Sequence, residues 1–195
     1  MSRINLADMS VTNPYKSHSR KEYDPLKGHS GTDHKADIGT EVYLDFEVKV
    51  IKTMKQNQMG YTLYAEDKFG NILVFAHCQK FIRVAGEVVK PGDTVVVTGN
   101  TGSVTSGPHL HFEGLSKAPR VGEEGMKRLQ LPYGGYNFDP VNYLKEMATP
   151  AAPSEVDLAI KSIKEAGLIN SDHKSDEPVT FGTLAVILNR LIQSK

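Results

Sequence analysis

Four histidines and one aspartate, grouped in three short segments, have the types and spacing of a metal or proton-transfer site. GHSGTD carries His29 and Asp33, VFAH ends in His77, and HLH carries His109 and His111. Residues two apart in a β-strand project from one face, so a strand at HLH places both of its histidines on the same side. One metal ion could take either of them while the other lies beside the open coordination position. The sequence leaves that choice open.

The donor types predict a hydrolytic Zn²⁺ site. Two imidazole nitrogens and one carboxylate oxygen, with a fourth position open, are a ligand set of catalytic zinc. A structural site would be closed by four protein ligands, usually with thiolates, and the chain has a single cysteine, Cys78. That lone cysteine also excludes an intrachain disulfide and a CxxC motif. Glu113, on the face of the HLH histidines, is expected to orient an imidazole, whereas His34 is expected in an exposed loop.

Composition and charge exclude several classes of function. The chain has 195 residues, 39% of them hydrophobic, and Lys+Arg and Asp+Glu both total 23. With no net charge, nucleic acid is disfavoured as a partner. No window approaches the roughly 18 apolar residues of a membrane span, so no membrane insertion is expected. The N-terminal segment lacks the apolar core of a secretory signal, and we expect cytoplasmic synthesis, with another agent giving access to any outside substrate.

Turn signals recur every 8–12 residues up to about residue 115, a spacing typical of antiparallel β-structure. Alternating apolar residues over 42–50 predict one half-buried strand, and the segments at 59–67 and 71–77 predict a hairpin. Two short strands are expected around Pro91-Gly92, and PVNYLKEM is expected to form a short closing helix. The expected fold class is mainly β, with an open groove shaped partly by the glycine-rich loop Gly99–Gly107.

A change of composition after residue 148 predicts a second domain. Residues 149–154, TPAAPS, form a Pro/Ala linker. Apolar residues at helical spacing in 155–195 predict two helices joined by a polar loop. The predicted organisation is therefore a catalytic domain over 1–148, a linker over 149–154, and a small helical domain over 155–195.

The ordered motifs GHSGTD, FAH and GNTGSVTSGPHLHFE resemble the M23 family of zinc metallopeptidases, the lysostaphin-type or LytM-type peptidoglycan endopeptidases. The resemblance runs from about residue 13 to residue 144, where FDPVNYL resembles the family's closing segment. It implies that His29, Asp33 and His111 bind zinc and that His77 and His109 are the catalytic pair. It also implies bacterial peptidoglycan as the substrate.

Other positions carry further implications of the same resemblance. Tyr23 stands six residues before the first ligand, where some members place a tyrosine that helps to hold the developing oxyanion. Thr32 and His34 occupy positions that are usually aliphatic in the family, and Cys78 replaces a common leucine. These departures could alter packing or the shape of the groove.

The helical tail is similar to C-terminal modules of phage endolysins and to S-layer-homology modules. With the M23-like domain, it indicates a phage or prophage endolysin that acts on the wall during host lysis. The tail could instead be a packing or dimerisation element. A non-catalytic M23-like module that regulates or recruits wall hydrolases is the alternative for the whole chain. The bond that is cut and the oligomeric state are not indicated by the sequence.

Overall fold

A computed structural model describes residues 2–17, 28–120, 127–128 and 135–148. The chain divides into two compact units, Met1–Thr149 and Pro150–Lys195. The predicted linker (149–154) and helical domain (155–195) lie outside the described residues, and so does Tyr23. The description that follows concerns the first unit.

The described part of this unit is built almost entirely from short strands. A 3₁₀ helix at Leu6–Asp8 and the helix α1 at Pro140–Ala148 are its helical elements. The strands are β1 (Arg3–Asn5), β2 (Val11–Asn13), β3 (Thr32–Lys35), β4 (Glu41–Tyr43), β5 (Val48–Gln56), β6 (Gly60–Asp67), β7 (Ile72–Cys78), β8 (Val88–Val89), β9 (Thr94–Val97), β10 (His109–Ser116), β11 (Lys127–Arg128) and β12 (Gly135–Phe138). The mainly β fold class predicted from the sequence is confirmed.

The strands form two sheets. The larger has the order β11–β12–β10–β7–β6–β5–β8, and β2 and β3 join it through β10. The first half of β10 pairs with β3 and its second half with β12, while β7 lies along its other edge. The smaller sheet has the order β1–β4–β9, and its β1–β4 pair is parallel. β10 is therefore paired on both edges, which fixes the direction of its side chains.

The predicted hairpin is confirmed, because β6 and β7 pair in antiparallel register around the turn at 68–71. The single strand predicted over 42–50 is wrong. The chain leaves the smaller sheet after Tyr43 and enters the larger sheet at Val48. Leu44, Val48 and Val50 are nevertheless all buried in one apolar cluster. The alternating pattern correctly predicted which side chains are buried. It could not show that they belong to strands in two different sheets.

The two short strands expected around Pro91-Gly92 are present as β8 and β9, but they are not partners. β8 pairs with β5 in the larger sheet and β9 pairs with β4 in the smaller sheet. The connection between them therefore passes from one sheet to the other.

The central strands bury both of their faces. One face packs in the main apolar core, with Leu63, Leu73, Phe75, Leu110 and Phe112 among its members. The other face carries a smaller apolar cluster of Tyr64, Val74 and Leu115. Helix α1 closes the main core with two of its residues, Tyr143 and Leu144. The short closing helix predicted at PVNYLKEM is confirmed.

Among the described residues, no helix has both the length and the hydropathy that a transmembrane crossing requires.

Candidate active site

The pairing of β3 with β10 brings two of the three motifs together. His111 lies directly opposite Asp33 in this antiparallel ladder. His29 precedes β3 in a turn that approaches β10 very closely at Gly31. A Cβ at Gly31 would lie 2.2 Å from the carbonyl oxygen of Phe112, so only glycine fits there. The turn therefore delivers His29 to the face that carries His111.

Three donor atoms converge at this point. His29 Nε2 lies 3.1 Å from His111 Nδ1, which lies 2.9 Å from Asp33 Oδ1, and the third side of the triangle is 3.3 Å. Metal bonds of about 2.0–2.2 Å at tetrahedral angles place Zn²⁺ ligand atoms about 3.3 Å apart. Within the part of the chain that the structure describes, His29, Asp33 and His111 form a group whose donor atoms could bind one metal ion. The donor set and its spacing fit zinc.

The second nitrogen of His111 is held by a buried carboxylate. Its Nε2 lies 2.9 Å from Glu113 Oε1, and Glu113 is fully buried. The Ser30 hydroxyl donates to the same carboxylate oxygen. Asn137 of β12 donates to the other carboxylate oxygen at 3.4 Å and to the Ser30 carbonyl at 2.9 Å. A carboxylate on the far nitrogen fixes the orientation of a ligand imidazole and increases its basicity.

The electrostatics of the cluster favour a cation. Burial disfavours the charged form of His111, but its hydrogen bonds to Asp33 and Glu113 outweigh burial and raise its pKa to about 9. Burial likewise disfavours the charged Asp33, yet its hydrogen bonds to His111 and His29 hold its pKa well below its usual range. Two buried carboxylates thus face one cluster of imidazoles. Such a site attracts positive charge, whether a proton or a metal ion.

His77 reaches the site through an irregularity at the end of β7. Its backbone has a φ of +59°, a left-handed conformation that is uncommon outside glycine. The pairing with β6 shifts register here, because two residues of β7 oppose one of β6. The ring of His77 packs against that of His109, with centroids 4.7 Å apart. β-Bulges are common next to active sites, where they redirect a side chain.

Carbonyl groups fix the tautomers of both of these histidines. His77 Nδ1 lies 2.7 Å from the Thr101 carbonyl, and His109 Nδ1 lies 2.8 Å from the Gly107 carbonyl. Because a carbonyl can only accept, each Nδ1 donates, and in the neutral ring Nε2 is the proton acceptor. His109 Nε2 lies 3.6 Å from Asp33 Oδ1, which places it beside the three donor atoms. Burial lowers the pKa of His77 to about 4, so this ring is neutral at pH 7.

A pocket of about 360 Å³ opens beside the three donor atoms. Its walls come from β2, from the end of the glycine-rich loop, and from the site itself. The lining residues are Thr12, Asn13, Asp33, Ser106, Gly107, Pro108 and His109. Asn13 donates to Asp33 Oδ2 at 3.2 Å, which leaves Oδ1 to face the histidines. The expectation that the loop shapes a groove is met at its C-terminal end.

The structure brings together five of the six residues singled out from the sequence, namely His29, Asp33, His77, His109 and His111. Tyr23 lies outside the described residues, and its role stays a prediction. The expectation for His34 is wrong. This side chain is 1% exposed, and its Nε2 lies 2.8 Å from the Thr32 hydroxyl. It lies in β3 on the face opposite Asp33, so it packs toward the core near Phe112.

Sequence reasoning missed the residues that hold the site in place. Asn13, Ser30 and Asn137 bond to the carboxylates, and Thr101 bonds to His77. Ser30 could have been suspected, because it lies inside GHSG. Asn137 is 107 residues from its partner Ser30, and no local pattern in one sequence links the two.

The described antiparallel sheet thus carries a His₂Asp donor set that could hold one metal ion, with the imidazoles of His77 and His109 beside it. The family model described as Peptidase family M23 matches residues 27–121, a range that contains all five of these residues. Residues 27–121 therefore form a peptidase M23 domain. Zn²⁺ is the cofactor that fits the donor set.

Individual relatives agree with this assignment. Peptidoglycan DD-endopeptidase ShyC of Vibrio cholerae is 36% identical over 102 residues, which are 50% of this chain and 23% of that protein. Peptidoglycan DD-endopeptidase ShyA of the same organism is 37% identical over 87 residues, 44% of this chain and 20% of that protein. The matched stretch therefore spans less than a quarter of these relatives' length.

Solved structures support the fold. The catalytic domain of the antimicrobial peptidase lysostaphin from Staphylococcus simulans superposes with a TM-score of 0.55 at 21% identity. The alignment covers 72% of this chain and 95% of that domain. At this identity the likeness concerns the architecture of the sheet rather than the substrate.

Proposed function

We propose that this protein is a zinc-dependent endopeptidase that hydrolyses peptide stems or crosslinks of bacterial peptidoglycan. The observation that carries the proposal is the convergence of three donor atoms, all within 3.3 Å of one another, next to the paired rings of His77 and His109. A metal site alone could be structural. A metal site with two adjacent proton carriers is arranged for hydrolysis.

Each residue has a separate task in this proposal. His29 Nε2, Asp33 Oδ1 and His111 Nδ1 hold the zinc. When bound, Zn²⁺ acts as a Lewis acid and lowers the pKa of water toward about 7. Because their Nδ1 atoms donate to carbonyls, His77 and His109 each offer Nε2 to the site. A neutral ring takes a proton from the nucleophile at Nε2, and a protonated ring gives one to the leaving amine.

The substrate class follows from the groove and from the relatives. The pocket beside the donor atoms is open, and its walls are mostly polar side chains and backbone, as a peptide substrate requires. ShyC and ShyA are both named peptidoglycan DD-endopeptidases. A crosslink between peptide stems is therefore the bond that we propose for cleavage.

The test is mass spectrometry of soluble fragments released from purified peptidoglycans that differ in crosslink chemistry. Metal-loaded protein should release crosslink-derived peptides from at least one wall type, chelated protein should release none, and added zinc should restore release. If the metal-loaded protein released no fragments from any of the wall types, the proposal would be overturned. Sedimentation with walls but no cleavage would instead support a non-catalytic module that recruits other hydrolases.

For residues 155–195 we propose a role in cell-wall attachment, within a phage or prophage endolysin. The support is the similarity of this segment to endolysin C-terminal modules, together with the fact that none of the five site residues lies within it. Tethering would make the encounter of the catalytic domain with a polymeric substrate effectively intramolecular. Truncation after Ala148 should weaken sedimentation with walls while leaving hydrolysis of a short soluble peptide nearly unchanged. A lower melting temperature or a change from dimer to monomer would support a packing or dimerisation element instead.

A further inference from the structure

The orientation of His77 is the least expected feature of the site. Leu73 and Phe75 of β7 face the main core, and strict alternation would send His77 after them. Instead Cys78 packs in that core, and the His77 ring lies against His109. The bulge has exchanged the directions of two consecutive side chains. A left-handed non-glycine residue is strained and persists only where its surroundings enforce it.

Thr101 makes the contacts that enforce this conformation. Its hydroxyl donates to the carbonyl of Cys78 at 2.7 Å and accepts from the backbone N–H of Tyr61 at 3.0 Å. Its own carbonyl accepts from His77 Nδ1 at 2.7 Å. One residue of the glycine-rich loop therefore joins the strand after the bulge, the strand opposite the bulge and the imidazole itself.

The surrounding backbone is shaped to admit Thr101. Gly60, the first residue of β6, has a φ of +65°, and a Cβ there would lie 2.3 Å from Thr101 Oγ1. Gly102 has a φ of +99°, and its Cβ would lie 2.2 Å from the carbonyl oxygen of Gln58. Both positions therefore require glycine for space as well as for φ. Glycine at these two positions therefore allows the loop to lie close to the start of β6.

We propose that Thr101 is the positioning residue for His77, acting through a hydroxyl that pins the bulge and a carbonyl that fixes the Nδ1–H tautomer. The inference rests on the proposed hydrolytic function, because it concerns one of the two proton carriers of that site. Thr101 does not reach the donor triangle. It acts on the reaction only through His77.

If the role of the hydroxyl were merely structural, its loss would change stability but not the tautomer of His77. Its two partners are backbone groups at strand ends, and Thr101 is only partly buried, so loss of the hydroxyl should lower the stability without preventing folding. The zinc ligands lie on other elements, so metal affinity should be unaffected. Only the placement and the tautomer of His77 depend on Thr101.

The experiment compares Thr101→Val, Thr101→Ser and the wild type as zinc-loaded full-length proteins. Thr94→Val is the matched control, because it removes a threonine hydroxyl that donates to Glu41 in the smaller sheet, away from the site. In Thr101→Val, kcat on a soluble crosslink peptide should fall by about 10–100-fold, with KM and zinc affinity nearly unchanged. Thr101→Ser, which keeps the hydroxyl, should restore most of kcat, and Thr94→Val should retain it.

Nitrogen-15 NMR of the His77 ring at pH 7.5 supplies a readout that does not need activity. The wild type and Thr101→Ser should show the Nδ1–H tautomer, and Thr101→Val should show a mixture. The His77 signal is assigned by its loss in His77→Gln. If Thr101→Val fails to fold, the pair Thr101→Ala and Thr101→Ser gives the same comparison.

Wild-type kcat together with an unchanged tautomer in Thr101→Val would overturn the proposal. An equal loss in Thr101→Ser and Thr101→Val would also overturn it, because the hydroxyl would then not be the cause. If the wild type itself cleaves no peptidoglycan peptide, the proposed function fails, while the tautomer measurement still decides whether Thr101 positions His77.

Discussion

β10 and β7 lie side by side in the larger sheet, and each brings histidine to the same site by a different route. β10 is regular over its whole length and is paired on both edges. Its residues His109, His111 and Glu113 alternate with core residues and so share one face. β7 is regular only until its last two residues, where a bulge turns His77 onto that face.

The difference separates two ways of placing a functional side chain. On β10 the ladder hydrogen bonds of the neighbouring strands set the face from which every side chain projects, without a bulge or a left-handed residue. On β7 the direction of His77 depends on Thr101, Gly60 and a left-handed backbone conformation. We therefore expect the metal-binding part to be robust and the His77 part to be sensitive to substitutions outside the site.

The largest effect should come from removing a metal donor on the regular side. His111→Ala or Asp33→Ala should lose zinc and reduce turnover to that of the chelated protein, because the remaining donors cannot hold the ion in place. Elemental analysis and peptide hydrolysis measure the two quantities. Lys35→Ala, an exposed position of β3, is the control and should retain both. Zinc loss in His109→Ala combined with zinc retention in His111→Ala would reverse the assignment of the HLH pair.

The next effect concerns the two histidines that we propose as proton carriers. His77→Ala and His109→Ala should each lower turnover by about 10²–10⁴-fold, the usual contribution of a positioned acid or base. Zinc content should stay near that of the wild type, because neither ring belongs to the donor triangle. Equal zinc loss in both variants would contradict this separation, because it would show that His77 and His109 are both needed for metal binding.

A smaller effect tests the backbone at the bulge. Gly60→Ala should destabilise the fold by about 1–3 kcal/mol through its left-handed φ, with a further cost from contact with Thr101. Gly39→Ala is the matched control, because Gly39 has a φ of +89° but open space around its Cβ position. Urea unfolding should place Gly60→Ala below Gly39→Ala, and only Gly60→Ala should lose activity. Equal stability of the two variants would count against tight packing at Thr101.

The last effect is a pH dependence of stability. Burial lowers the pKa of both His77 and His34 to about 4. An unfolded histidine titrates near pH 6.5, so between pH 6.5 and 4 the unfolded chain binds more protons than the folded one. The stability contributed by these neutral rings is therefore complete above pH 6.5 and is lost as the pH falls toward 4, with a slope of up to about 1.4 kcal/mol per pH unit and group.

His34→Leu isolates one of these contributions. The variant keeps a side chain of similar size in the core and removes one titrating group, so its urea midpoint should fall less steeply from pH 6.5 to 4.5 than that of the wild type. An unchanged slope would show that His34 is not neutral in the fold. His77→Gln provides the same comparison on the side of the bulge.

Much of the site could be predicted because its spacing is local. The placement of His109 and His111 on one face follows from the period of a strand, and the hairpin that ends in His77 follows from its turn residues. The departures involve distant contacts. His34 is buried because its side of β3 faces the core near Phe112. The strand predicted over 42–50 is divided because its two halves pair in different sheets.

The sequence alone determined which groups are available for chemistry and that two of them share a strand face, because residue type and alternation are properties of the chain itself. Tertiary structure decided the rest. It selected His111 Nδ1 rather than a nitrogen of His109 for the donor triangle, because β3 places Asp33 opposite His111. It also turned His77 toward the site and Cys78 into the core, because Thr101, 24 residues further along, hydrogen-bonds to that ring and holds the strand ends around the bulge. The alternating pattern of β7 cannot predict the bulge, because the contacts that stabilise the bulge come from residues outside that strand.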